Sequence, residues 1–296
     1  MGLPAACAGR VVARHELPLE RRTIHGHFSS QLAPVLTVAP GDSVRIAVPN
    51  AGWRLESGEE LGPRDGERDD GHALAGPIEV RGARAGQTLA VRIDEVRPGS
   101  WGVTLTEPPY VLRWELDGDI GRAAERAVRL APFLGVLGMP PPEPGVHSTT
   151  PPRRWGGNID CKELVAGSTL YLPVPVHGAL LSAGDGHAAQ GDGEVSGSAI
   201  ECPVEAELTL DLHDGPPLEW PLARTRDAWL TFGFDDQLGR AAQVALEGML
   251  ALMAREHGLG RDDALAFASV VVDLRVTQVV NGAVGVHAVL RDDAFL

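Results

Sequence analysis

Three short stretches of the chain concentrate the residue types that do chemistry. The first is Gly156-Gly157-Asn158-Ile159-Asp160-Cys161-Lys162. The second runs Gly184-Asp185-Gly186-His187-Ala188-Ala189-Gln190-Gly191-Asp192-Gly193-Glu194, and the third is Ala199-Ile200-Glu201. Together they offer carboxylates and one imidazole in a glycine-rich setting, a donor set that suits a divalent cation such as zinc. In an extended segment side chains alternate, so Asp185 and His187 would share one face. An exposed acidic loop, or a calcium loop built from Asp185, Asp192 and Glu194, accounts for the same composition. Cys161 beside Lys162 raises nucleophilic thiolate chemistry, as in nitrilase-type amidases that use Cys, Lys and Glu. Adjacent side chains in a strand face opposite sides, which speaks against those two acting together. The chain has no Gly-X-Ser-X-Gly elbow, no Walker A sequence and no dinucleotide fingerprint.

The order Gly-Gly-Asn-X-Asp-X-Lys, Gly-Asp-X-His-X-X-Gln-Gly-Asp-Gly-Glu and Ala-Ile-Glu resembles the signature of the acetamidase/formamidase family. The likeness extends outward to Pro34-Val35-Leu36-Thr37-Val38-Ala39-Pro40-Gly41-Asp42 and to His72-Ala73-Leu74-Ala75-Gly76-Pro77-Ile78-Glu79-Val80. The Gln237 helix and the Leu274 to Asn281 strand match more loosely. The resemblance implies a jelly-roll-like β-sandwich with a smaller α/β portion, hydrolysis of linear carboxamides to carboxylate and ammonia, and a metal in the site. Some relatives resemble lactam hydrolases. The family pattern carries His immediately before Gly-Gly-Asn, whereas this chain has Trp155. Indole neither ligates metal nor exchanges protons at neutral pH. That departure motivates the expectation of a bulkier or more apolar amide, and, as an alternative, a non-catalytic small-molecule binding module on the same fold.

On this resemblance the metal, zinc first and calcium second, is expected among His72, Asp160, Asp185, His187 and Glu201. Glu201 or Glu194 would take a proton from water, and that acid or His187 would protonate the leaving amine. Lys162 would stabilise the developing oxyanion or pair with a carboxylate. Asn158 would orient the amide, with Trp155 and His72 as further substrate contacts. Bland readings stand beside each: a turn cap for Asp160, turn residues for Asp192 and Glu194, a packed His72, a surface strand for Glu201 and a buried filler for Cys202. His25 and His27 lie near positions where relatives also carry histidine.

The elements that must position these residues read as mainly β with an α+β end. Residues 35–48, 78–96 and 164–176 each contain two extended pieces around a glycine turn, which suggests hairpins in a sandwich or barrel. Residues 58–71 read as an exposed charged loop. Residues 132–152 read as an irregular proline-rich wrap, and residues 178–197 as a glycine-rich loop able to approach a ligand closely. Residues 237–257 keep helical apolar spacing, with Asp235-Asp236 expected to cap the start and Gly258 to stop it. A second helix is expected near Asp262, then a strand, an Asn281-Gly282 turn and a returning strand. The expected division is residues 1–200 as the β-sandwich carrying most of the site and 201–296 as the α+β portion.

The 296 residues carry a net charge of −14, which disfavours phosphate backbones and anionic lipid as partners. Arg10, Arg14, Arg21 and Arg22 form a basic stretch that is read as a solvated face. No apolar run is long enough to cross a bilayer, and Met1 to Arg10 lacks the build of a signal peptide. Cys7, Cys161 and Cys202 are too scattered for a disulfide framework, so a reduced, cytoplasmic protein is the default expectation. Self-association, as a dimer, is an expectation carried by the resemblance. The partner expected is a small amide, with no nucleic acid and no membrane.

Overall fold

The structure, a computed structural model, describes residues 12–296. The reading of the first ten residues, with Cys7 and Arg10, lies outside them. The molecule is mainly β. A nine-stranded sheet runs in the order Arg14–Leu17, Asp42–Val48, Val204–His213, Thr88–Pro98, Thr169–Pro173, Leu222–Arg224, Ala228–Asp235, Val284–Arg291, Val272–Gln278. A six-stranded sheet runs Gly156–Asn158, Phe133–Gly138, Leu181–His187, Leu74–Val80, Ile24–His25, with Leu36–Val38 added beside Leu74–Val80. A four-stranded antiparallel sheet, Trp101 to Arg129, joins this assembly through bridges of Val103 and His187 to Glu201. Residues on both sides of position 200 share the nine-stranded sheet, because Val204–His213 lies between Asp42–Val48 and Thr88–Pro98.

Alternation decides which side of each strand is buried. In Asp42–Val48 the residues Val44, Ile46 and Val48 are buried while Arg45 is exposed. In Val204–His213, Val204, Ala206, Leu208 and Leu210 point inward. They join Ile78, Val80, Leu134, Leu137 and Leu181 of the six-stranded sheet in one core. Burial at about 25 cal/mol per Å² of apolar surface is what holds the layers together.

The three expected hairpins are corrected. Leu36–Val38 pairs in parallel with Leu74–Val80 in the six-stranded sheet, whereas Asp42–Val48 pairs with Arg14–Leu17 and Val204–His213 in the nine-stranded one. Leu74–Val80 and Thr88–Pro98 likewise belong to different sheets. In 164–176 only Thr169–Pro173 is a strand. A glycine turn reverses a chain equally well within a sheet and between two sheets, and the partner is chosen by distant residues. Two loop expectations are also corrected. Residues 133–138 form a fully buried strand, and so do residues 181–187. Their glycines are packing devices: a Cβ on Gly186 would lie 2.6 Å from the Cys202 carbonyl oxygen and 2.3 Å from a Val204 methyl carbon. The 58–71 loop is not wholly exposed, since Asp69 is buried against His27.

The last third follows its periodicity. Helix α1, Leu238–His257, and helix α2, Arg261–Val271, form a second core with Val286, Ala288 and Leu290. Helix α1 approaches the Ala228–Asp235 strand closely, because Gly233 lacks a Cβ that would sit 2.1 Å from the Ala241 carbonyl oxygen. Gly258 ends α1 with φ 68° and donates its N–H to Ala254 O. The expected start is corrected. Gln237 is the cap residue, and Asp235 acts from outside by accepting the Gln237 N–H at 3.0 Å. The basic stretch is largely paired off: Arg14 with Glu207, Arg22 with Glu20, and Arg21 on the Pro63 carbonyl. No helix among the described residues is long and apolar enough to cross a membrane.

Candidate active site

His187 is the last residue of a central strand of the six-stranded sheet and is buried. Its Nε2 lies 3.4 Å from Asp185 Oδ1 and 3.3 Å from Glu201 Oε2, and its Nδ1 lies 4.0 Å from Asp160 Oδ1. Ligand-type atoms of Asp160, Asp185 and His187 fall within 4.8 Å of one another, as do those of His187, Glu194 and Glu201. Five residues from three separate stretches therefore meet around one imidazole. Asp185 and His187 share a face of their strand, as alternation requires. The antiparallel bridge of His187 to Glu201 delivers the second acid, and the turn after Gly156–Asn158 delivers Asp160.

The space is made by a missing side chain. Gly135, on the neighbouring Phe133–Gly138 strand, accepts the N–H groups of Ile159 and Asp160 through its carbonyl. A Cβ there would stand 2.5 Å from Asp185 Oδ2, 2.6 Å from Asp160 Oδ1 and 3.0 Å from His187 Cε1. Phe133 on the same strand packs edge-on against the imidazole at 5.1 Å.

Local hydrogen bonds define what each donor offers. Gln190 Nε2 donates to the Asp160 carbonyl at 2.8 Å, which orients the amide so that its Oε1 faces His187 Nδ1 at 2.9 Å. Nδ1–H is therefore the donor there, and Nε2 of a neutral ring turns its lone pair toward Asp185 and Glu201. Glu201 Oε1 accepts from Ala199 N at 2.9 Å and Ser198 Oγ at 3.2 Å. Glu201 Oε2, Asp160 Oδ1 and Asp185 Oδ1 are buried without a hydrogen-bond partner. Asp160 Oδ2 accepts from Asn281 Nδ2 at 2.6 Å.

Charge crowding perturbs every acid whose shift is resolved here. Burial, then the nearby Glu194, pushes the Asp160 carboxyl well above the ordinary range. Burial raises Glu194 to about 7, with the His187 charge opposing and Asp185 and Glu201 adding to the rise. For Asp185 burial is overcome by the charges of His187 and His72, which hold it below the ordinary range. Burial disfavours the His187 cation, but Glu201 and Asp185 outweigh it and raise the imidazole well above its usual value. Asp160, Asp185 and Glu194 have φ of 53°, 61° and 45°, three of the eight non-glycine residues in that region among the described residues. Such backbone costs on the order of 1–3 kcal/mol per residue and persists where packing over-determines it, which is common at functional sites.

The remaining expected residues sit at varying distance. His72 is half-buried with Nδ1 on Thr149 Oγ1 at 2.8 Å, and its charge reaches Asp185. Asn158 is buried two residues before Asp160, with Oδ1 unpartnered. Lys162 pairs with Asp192 at 2.9 Å at the rim. Trp155 packs its ring against the main core and gives its carbonyl to Met139 N, with no polar contact to the acids among the described residues. Sequence reasoning missed Gly135, Gln190 and Asn281 as site residues. Gln190 stood within the quoted motif, and Asn281 was read only as a turn.

Behind the site, His25 Nδ1 donates to the His27 carbonyl at 2.7 Å, so Nε2 accepts from Ser182 Oγ at 2.9 Å. Both nitrogens of the neutral ring are satisfied, and burial above all lowers the pKa from 6.5 to about 4. The unfolded chain then binds the extra proton between those values, so stability rises with pH from about 4 to 6.5 and is lost on acidification. The loss amounts to at most about 3.5 kcal/mol, at roughly 1.4 kcal/mol per unit. Urea unfolding across this window should show a steeper dependence in the native protein than in His25→Asn. Parallel profiles would remove His25 as the cause.

Comparison with known proteins agrees with this architecture. The sequence model of the Acetamidase/Formamidase family matches residues 144–221, a span that contains all three motifs. The chain is 38% identical over 287 aligned residues to an acetamidase of Mycolicibacterium smegmatis, with 68% of this chain and 69% of that protein covered. The crystal structure of an acetamidase from Yersinia enterocolitica superimposes with a TM-score of 0.86 at 27% identity, over 97% of this chain and 94% of that one. An acetamidase structure from Bacillus halodurans gives 0.82 at 26% identity, over 94% and 97%. With fold, motif order and whole-chain likeness in agreement, the protein belongs to the acetamidase/formamidase family and is an amidase, a hydrolase of carbon–nitrogen bonds other than peptide bonds.

Proposed function

We propose that the protein hydrolyses a small linear carboxamide to carboxylate and ammonia at the His187 centre, with a divalent cation of the zinc class held there. The observation that carries the cation is the set of three buried carboxylate oxygens without partners, on Asp160, Asp185 and Glu201, around one imidazole. The imidazole supplies at most one positive charge to this group of buried acids, and charge left uncompensated there costs several kcal/mol, so the donor set fits a bound cation. Asp160, Asp185, His187 through Nε2, and Glu201 are the residues that would hold it, with His72 at the margin. When bound, such an ion polarises a carbonyl and acidifies water.

The chain's own residues supply the proton handling. Glu194, grouped with His187 and Glu201, is placed to accept a proton from water and to return it to the departing amine. Protonation of the nitrogen is needed because an amide anion is a very poor leaving group. Gln190 holds the His187 ring in one tautomer, and Asn281 holds one oxygen of Asp160, so both donors are oriented before substrate arrives. The unpartnered Asn158 Oδ1 is a hydrogen-bond acceptor suited to an amide N–H. Burial excludes bulk water, which strengthens each of these interactions. Ammonia release from formamide, acetamide, propionamide and a lactam, before and after chelation, tests the reading. Activity should fall at least a hundredfold on chelation and return with zinc. Undiminished turnover in the chelated, metal-free protein would refute metal assistance, and release from the lactam alone would refute the linear substrate.

A further inference from the structure

The segment that carries Asp160 into the site turns a second group of ligand-type side chains the other way. Cys161 and Glu163, two residues apart, meet His287 of the Val284–Arg291 strand. Their ligand-type atoms lie within 4.8 Å of one another. Cys161 Sγ donates to Glu163 Oε2 at 3.2 Å, and His287 Nε2 lies 3.5 Å from that same oxygen. His287 is 1% exposed and its Nε2 has no hydrogen-bond partner, while Nδ1 is held by Thr277 Oγ1 at 2.8 Å. Glu163 Oε1 is held separately by Arg275 at 3.0 Å.

His287 and Glu163 are each held by a group outside the cluster, Thr277 and Arg275, and each turns one atom toward its centre. Thr277 Oγ1 holds Nδ1 and so fixes the ring with Nε2 turned toward Glu163 Oε2, and Arg275 fixes the carboxylate plane. These are the supports expected around a metal site. A cavity of about 430 Å³ lined by Glu163, Val165, Ser168 and Thr225 reaches the cluster at Glu163.

We propose that Cys161 Sγ, Glu163 Oε2 and His287 Nε2 form a second metal site, selective for a thiophilic divalent cation such as zinc and distinct from the His187 centre. A thiolate and an imidazole with a single carboxylate oxygen favour zinc-class ions over calcium or magnesium, which take mainly oxygen. On binding, the S–H bond breaks, its proton leaves to solvent and sulfur takes the cation; the S–H···O contact to Glu163 is replaced by coordination. The site would clamp the segment carrying Asp160 onto the sheet strand carrying His287, and so hold Asp160 in register with its partners.

The test uses cobalt as probe. The His187 centre contains only oxygen and nitrogen donors, so a thiolate-to-cobalt charge-transfer band in the near ultraviolet reports this second site alone. Full-length protein stripped by chelation and titrated with Co²⁺ should develop that band. Cys161→Ser should abolish it, Glu163→Gln and His287→Gln should each weaken cobalt affinity at least tenfold, and Cys202→Ser and Cys7→Ser should retain it. Circular dichroism identifies any variant that fails to fold, and the remaining variants then decide. Absence of the band at saturating cobalt, its persistence in folded Cys161→Ser, or its loss in Cys202→Ser or Cys7→Ser would overturn the proposal. Because the band does not depend on turnover, its absence leaves the amidase reading untouched, and loss of activity leaves the band unaffected.

Discussion

His187→Ala is expected to lower kcat for ammonia release by at least a hundredfold, the usual lower bound when a group central to proton handling is removed. The effect should exceed that of any other single side chain in the cluster, because His187 is the one imidazole among its acids and lies within 4.0 Å of Asp160, Asp185 and Glu201. Removing it also takes away the positive charge that the buried acids face. Breaking a buried ion pair by deleting one partner costs roughly 3–5 kcal/mol. Thermal unfolding must therefore accompany the kinetics. His187→Gln, which restores a hydrogen-bonding group but cannot carry the charge, separates folding from function: it should recover part of the stability and little of the activity. A fall in kcat with little change in KM would mark an interaction made in the transition state. Native turnover in a folded His187→Ala protein would remove this residue from the reaction.

The second large effect comes from adding atoms. Gly135→Ala should reduce activity nearly as far as His187→Ala while leaving most of the fold in place. The backbone of Gly135 does not lie in the left-handed region, so alanine is conformationally acceptable. The methyl group, however, would press on Asp185 Oδ2 and Asp160 Oδ1 at 2.5 and 2.6 Å. Two carboxylates and the imidazole must move apart, and the arrangement that gathers their free oxygens is lost. Overpacking a filled interior costs about 1–3 kcal/mol, so the variant should fold with a lowered Tm. Gly239→Ala, where a Cβ meets nothing within 4 Å, is the matching control and should leave activity unchanged. The readouts are ammonia release and bound metal per chain. Gly135→Ala with native values of both would show that the space beside Asp185 is incidental.

Local pattern carried much of the architecture. The amphipathic spacing of Leu238–His257, the stop at Gly258 and the strands flanking Asn281-Gly282 were legible because each depends on residues close in sequence. So was the sharing of a strand face by Asp185 and His187. The buried strands Phe133–Gly138 and Leu181–His187 were not legible. Their glycines, and the prolines that follow Gly138, carry loop signals, whereas burial on both faces by neighbouring strands is what makes them strands. The same limit affected the turns at Gly41 and Gly86, whose flanking strands pair in different sheets.

By itself the sequence determined the chemistry available: a fixed order of Asp160, Asp185, His187, Glu194 and Glu201 in glycine-rich motifs, on a chain too acidic to favour nucleic acid. It also determined the periodicities from which strands and helices form. Only the tertiary structure decided that these side chains share one centre, that Gly135 leaves the room between them, and that Asn281, far along the chain, holds Asp160. It also decided that Lys162 turns to Asp192 and Cys161 to His287 instead of acting together. The reason is physical. Propensity and alternation act over a few residues, whereas a site is the meeting of strands whose pairing is settled by the packing of the whole core.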